Sequence, residues 1–230
     1  MKGQIIYVPS HPKSIAQAEE AERSFKLFSG WDLKLTAGVI PKTLNKVDES
    51  QRSVPMIEKS RMLNFKSENE NRFYTKLSCV MNHVNFWKEV VEKDEPMAFI
   101  EHDAICISSW RDQDFDEYLI LNAEYVFAPP NKLNISQLRG YKWQGRGVEN
   151  LSSDYPLIYY RENEWKGSFM VPGTGAYAIT PKGAKKMLKV SEKKLDQSDF
   201  ILNSYNINIQ YLLPSPVKFN TINLNTSHGV

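Results

Sequence analysis

Apolar and polar positions alternate between two periods along this chain, and the switches mark its elements. Gln4–Val8 is a short β-branched apolar run stopped by Pro9, which predicts a strand. Ile15–Phe28 places Ile15, Ala18, Phe25 and Phe28 among charges and predicts an amphipathic helix ended by Gly30. Trp31–Val39 alternates and predicts a second strand, closed by Gly38 and Pro41. Strand, helix and strand at this length make a βαβ unit and point to an α/β architecture. Lys42–Arg72 is polar with little periodicity and reads as a loop or short helical pieces able to cover a site. In Phe73–Lys93, by contrast, Leu77, Val80, Met81, Val84, Trp87, Val90 and Val91 recur at helical spacing, which makes Trp87 a core residue.

Beyond the break at Asp94–Pro96 the pattern turns unusual. The apolar run Met97–Ile100 ends in Glu101 and Asp103, and apolar residues resume at once with Ala104, Ile105 and Ile107. Acids interrupting a buried strand are unfavourable unless something cationic compensates them. Ligands of open α/β sheets gather at the carboxyl ends of strands. Hard oxygen ligands there favour Mn2+ or Mg2+, which in turn hold phosphates. Alternation lets Glu101 and Asp103 face one side while His102 points to the other.

The remaining elements follow the same rules. Asp114–Leu121 reads as a helix, and Ala123–Ala128 as a strand stopped by Pro129 and Pro130. Asn131–Trp165 reads as a loop crowded with Tyr141, Trp143, Tyr159, Tyr160 and Trp165. A Gly173-Thr174-Gly175 turn precedes the strand Ala176–Thr180, and Pro181 opens a helix continued by Gly183–Val190. Asp199–Tyr205 makes a helical turn, Ile207–Leu213 a strand, and Pro214–Val230 a polar, extended tail. No repeat, low-complexity tract or interdomain linker interrupts the 230 residues, so one domain is expected.

Composition adds mainly exclusions. With 29 basic against 27 acidic residues, the formal charge of +2 gives no support to a general nucleic-acid or membrane-surface binder. Two cysteines, Cys79 and Cys106, have no metal-type spacing and read as small buried hydrophobes in a reducing compartment. The first apolar run is too short for a signal peptide, and no stretch approaches the roughly 18 apolar residues of a membrane span. The expected location is the cytoplasm.

Four segments in order resemble glycosyltransferase family 25, the lipo-oligosaccharide and collagen galactosyltransferases. Leu77-Ser-Cys-Val-Met-Asn-His-Val-Asn-Phe-Trp-Lys resembles its G-C-x-x-S-H-x-x-x-W helix, and Ala98-Phe-Ile-Glu-His-Asp-Ala its A-L-I-L-E-D-D strand. Gly173-Thr-Gly-Ala-Tyr-Ala-Ile-Thr-Pro-Lys-Gly-Ala-Lys-Lys-Met-Leu is similar to T-H-A-Y-L-I-S-P-K-G-A-K-K-L-L, and Asp199 falls near a family acid. Ser78, Asn82 and His102 depart from the pattern, and Ser10-His11-Pro12-Lys13 stands where the family has an arginine-rich strand exit.

The resemblance implies a GT-A nucleotide-sugar-binding fold, a Rossmann-like mixed, mainly parallel sheet flanked by helices. It also implies a UDP-sugar donor carrying galactose or glucose, a saccharide hydroxyl as acceptor, and inversion at the anomeric carbon. Asp103 is then the expected metal ligand, while Glu101 binds metal through water or takes the ribose hydroxyls. His228, near the end of the chain, is the expected histidine ligand of the tail. Val8, Pro9, Ser10 and His83 are expected at the donor, and Gly173, Thr174, Gly175 and Trp143 at the acceptor. Asp199, with Asp196 as substitute, is the expected base, since a helix N-terminus steadies a carboxylate. A noncatalytic nucleotide-sugar or glycan-binding relative and a nucleotidyltransferase are the rival readings of the same residues.

Overall fold

In the computed structural model, which describes residues 1–44, 70–126, 141–156, 165–171 and 174–220, the first three elements form the expected βαβ unit. β1 (Lys2–Tyr7) and β2 (Asp32–Ala37) run parallel, joined by α1 (Pro12–Phe28). α1 starts ahead of its apolar periodicity. Pro12 is preset for the first helical position, and His11 caps the helix by accepting the Ser14 N–H at 3.3 Å through Nδ1. Next come α2 (Pro41–Leu44) and the long α3 (Glu70–Lys93), which Asp94 ends in the left-handed region at φ 50°. The rest of the polar stretch after α2 lies outside the described residues.

The remaining elements are β3 (Met97–Glu101), β4 (Ala104–Cys106), β5 (Tyr118–Ile120), β6 (Gly147–Asn150), β7 (Ala176–Ile179), α4 (Pro181–Lys193), α5 (Ser198–Ile201), β8 (Ile209–Leu213) and β9 (Val217–Phe219). Seven strands make one sheet in the order β2-β1-β3-β7-β5-β8-β6, and β4 pairs with β9 apart from it. The large sheet is mixed: β1 with β2, β1 with β3 and β5 with β8 are parallel, and the other three neighbours are antiparallel. Helices cover both faces, as in a Rossmann-like fold.

Each face has its own core. Met97 and Phe99 of β3 pack with Val80, Val84, Trp87 and Val90 of α3 and Met187 of α4. Ala98 and Ile100, pointing the other way, pack with Ile5, Leu33 and the α1 residues Ala18, Ala21 and Phe25. A strand buried on both faces is apolar at every position, which is why Met97–Ile100 reads as a continuous run.

Several expectations are corrected. Asp114–Leu121 is not a helix; its apolar end is β5, buried between β7 and β8, where Glu117 receives the Asn208 N–H and the Lys186 ammonium. Ala123–Tyr125 is a 3-10 turn rather than a strand, because Glu124 and Ser215 bond each other's backbone amides and pull the chain round. The expected loop Asn131–Trp165 contains β6, which gains its partner from β8. The tail is extended as expected over Val217–Phe219, where it forms β9 against β4. Cys106 is buried as expected, but Cys79 is exposed.

Candidate active site

β1 and β3 end side by side, with Ile6 opposite Glu101, so the β1–α1 loop and the acidic turn share one rim of the sheet. Val8, Pro9 and Ser10 are exposed on that rim, and the Val8 N–H donates to Ser14 Oγ at 2.8 Å. The β3 alternation carries Glu101 toward the α3 face. Burial, and then the neighbouring charges of Asp103 and Asp199, push its carboxyl well above the usual carboxylate range. Asp103 is raised as well, chiefly by burial, and its Oδ1 is buried with no hydrogen-bond partner. His102 lies between the two acids in the turn. Burial lowers its pKa, Asp103 opposes that shift and His11 adds to it, and its Nε2 is likewise buried without a partner.

Asp199 joins these acids from α5. Its Oδ1 accepts the Thr174 N–H at 3.1 Å and the Thr174 hydroxyl at 3.2 Å, which ties the turn before β7 to the start of α5. Asp196 is 0% exposed and accepts the Gln197 N–H at 2.7 Å. Gly175 lies beside Glu101: its carbonyl accepts the Glu101 N–H at 2.7 Å, and a Cβ there would stand 3.5 Å from Glu101 Oε2. Gly173 and His228 lie outside the described residues.

Two residues at this site were not expected from the sequence. Cys79 on α3 keeps solvent contact while closely surrounded, and burial with the charges of Glu101 and Asp199 pushes its thiol up to about 12. Tyr118 of β5 is raised well above its ordinary value by burial, then by Asp199 and Glu101. Neither had a local signal, because both meet the acids only through tertiary packing.

His83 is 2% exposed and lies beneath the site. Its ring stacks on Phe99 of β3 at 4.1 Å, and burial lowers its pKa to about 3. Tyr177 hydroxyl accepts from Trp87 Nε1 at 3.1 Å and is hydrogen-bonded to His83 Nδ1 at 2.9 Å. This chain ties α3 to β7 behind the acidic turn. Trp143 packs elsewhere, edge-on to Tyr141 at 5.1 Å and to Tyr211 of β8 at 4.7 Å. Asn82, one of the departures from the resembled motif, accepts the Val39 N–H at 2.6 Å and holds the exit of β2 against α3.

The family profile described as glycosyltransferase family 25 (LPS biosynthesis protein) matches residues 13–202. The chain belongs to glycosyltransferase family 25. Its membership makes it a glycosyltransferase, which requires a sugar donor and an acceptor. A search of curated proteins found no match to the chain. The matched span takes in α1, the acidic turn, Thr174 and Asp199, and it stops short of β8 and β9. Among the described residues, no helix of this glycosyltransferase is long and apolar enough to cross a membrane.

The acidic turn of the glycosyltransferase fits a divalent cation in one specific sense. Asp103 Oδ1 is buried and unpartnered, and Glu101 is destabilised as an anion by two neighbouring carboxylates, so positive charge is what the turn lacks. Among the described residues, no three His, Cys, Asp or Glu side chains form a metal cage. Mg2+ and Mn2+ bound to one or two carboxylates take their remaining ligands from water and substrate phosphates, which suits this donor set.

Proposed function

We propose that this glycosyltransferase moves a hexose, galactose or glucose, from a UDP-sugar to a saccharide hydroxyl with inversion, and that it acts in the cytoplasm. The observation that carries the reading is the meeting of Glu101, Asp103 and Asp199 at the carboxyl end of β3, where Asp103 Oδ1 is buried without a partner. UDP and inversion come from the family resemblance. A bound Mn2+ or Mg2+ would neutralise the charge that develops on the departing diphosphate.

Asp103 would be the direct ligand of that ion and Glu101 would hold a metal-bound water or the ribose hydroxyls; His228, outside the described residues, is the proposed ligand from the tail. Val8, Pro9 and Ser10 line the donor side of the shared rim. His83 serves the donor from behind, by fixing Phe99 and Tyr177 beneath the acids. Asp199 takes the proton of the acceptor hydroxyl as it attacks the anomeric carbon; its two bonds from Thr174 fix the carboxylate for that role. Asp196, fully buried, supports that segment instead of reaching the acceptor. The turn at Gly173, Thr174 and Gly175 borders the acceptor.

The test is nucleotide release from UDP-, GDP- and CMP-sugars with Mn2+ or with chelator. UDP release that requires both a UDP-hexose and the metal is expected. Release that persists in chelator, release of another nucleotide, or donor binding without turnover would overturn the reading.

A further inference from the structure

The chain returns to the acidic turn after leaving the family-matched span. β9 pairs antiparallel with β4, placing Phe219 opposite Ala104, the residue that follows Asp103. Asn220 then donates its N–H to the Asp103 carbonyl at 2.6 Å, and its side-chain amide reaches Glu20 of α1 at 3.2 Å. Upstream, the Ile107 N–H bonds Pro216 O at 2.8 Å and the Val217 N–H bonds Leu121 O at 3.2 Å. The segment 216–220 therefore straps the exit of the turn and β4 to the rest of the fold.

Phe219 does more than fill space. A Cβ on Gly175 would lie 2.2 Å from Phe219 Cε1 and 2.5 Å from Cζ, so the ring occupies the place that the missing side chain leaves open. The same hypothetical Cβ lies 3.5 Å from Glu101 Oε2, which puts ring and carboxylate on one face of Gly175. The buried Oδ1 of Asp103 gains no restraint from hydrogen bonding. The backbone contacts of the turn, to Gly175 on one side and Asn220 on the other, are then what fix the separation of its two carboxylates.

We infer that Phe219 is a positioning residue for the acidic turn: its ring against Gly175, together with the Asn220 amide on Asp103, sets the spacing of Glu101 and Asp103 for the donor diphosphate and its divalent cation. The inference rests on the proposed function of that turn.

Full-length Phe219→Ala and Phe219→Leu are the test, read by Mn2+ binding without donor (the EPR signal of free Mn2+) and by amide exchange across residues 100–106. Phe219→Ala is expected to weaken Mn2+ binding about 10-fold, the range for residues that orient metal ligands. It should also speed exchange in the turn, and Phe219→Leu, which keeps bulk on Gly175, should restore most of both. Wild-type affinity and wild-type exchange in the alanine variant, even with a lower melting temperature, would overturn the inference. Should the alanine variant not fold, an affinity and exchange in Phe219→Leu that match wild type support the inference, and an equally severe loss in Phe219→Leu overturns it. A wild-type protein that binds no Mn2+ sinks the metal reading and leaves the exchange result to decide the positioning role.

Discussion

Asp199 and the two acids after β3 could be recognised in the sequence for different reasons. Glu101 and Asp103 interrupt an apolar run, which is visible without any partner, whereas Asp199 was visible as an acid opening a helical turn and by its place near a family acid. The structure adds the Thr174 backbone and hydroxyl bonds to Asp199, and those bonds connect two segments 25 positions apart. Asp199→Asn keeps the shape and an acceptor oxygen but removes the basic carboxylate. Its kcat should fall about 100- to 10,000-fold, the usual worth of a general base, with the donor KM little changed. A kcat within a few-fold of wild type would remove Asp199 from the chemistry. His102 stood in the sequence as a departure from an acid, and it falls in the turn after β3 ends, where His11 adds to the lowering of its pKa by burial. Cys79 and Tyr118 gave no such signal, because their approach to the acids is a product of helix–sheet packing.

At the scale of elements, long periodic segments were legible and short ones were not. α1, α3, β3 and β8 each bury enough apolar surface to show a period. The run Tyr118-Leu-Ile-Leu is too short for periodicity to tell strand from helix, and it becomes β5 only because β7 and β8 flank it. β6 and β9 are half-polar, and their partners decide them. β5 is anchored by Glu117, whose side chain is 5% exposed against Lys186. Burial raises the Glu117 carboxyl, but the Asn208 amide and the Lys186 ammonium outweigh it, and the net pKa lies below the ordinary 4.5. A depressed carboxylate stabilises the fold above its unfolded pKa and loses that contribution as pH falls through the native value. Glu117→Gln should therefore cost about 2 kcal/mol at neutral pH, the worth of bonds to a charged group. Denaturant melts of both proteins should show that gap shrinking as the pH drops below 4.5. A gap that stays constant to strong acid would contradict the assignment.

Across the whole molecule, the sheet order explains why distant segments meet. β3 lies between β1 and β7, so the exit of β1, the acidic turn and the residues before β7 share one rim. α5 and the strap of β9 close that rim from opposite sides. The α/β class and the family were legible because the helix, the acidic strand and the Pro181 helix occur in order. The strap was not, since a polar tail carries no sign of the strand it will join. What the assembled site is claimed to do is hold the donor diphosphate through a cation at Asp103. The most direct measurement is UDP release by Asp103→Ala at saturating Mn2+ and UDP-hexose, with folding checked by circular dichroism. The account predicts a loss of about 100-fold or more, the scale of removing one principal electrostatic stabiliser of a transition state. Turnover by a folded Asp103→Ala protein within a few-fold of wild type would contradict it.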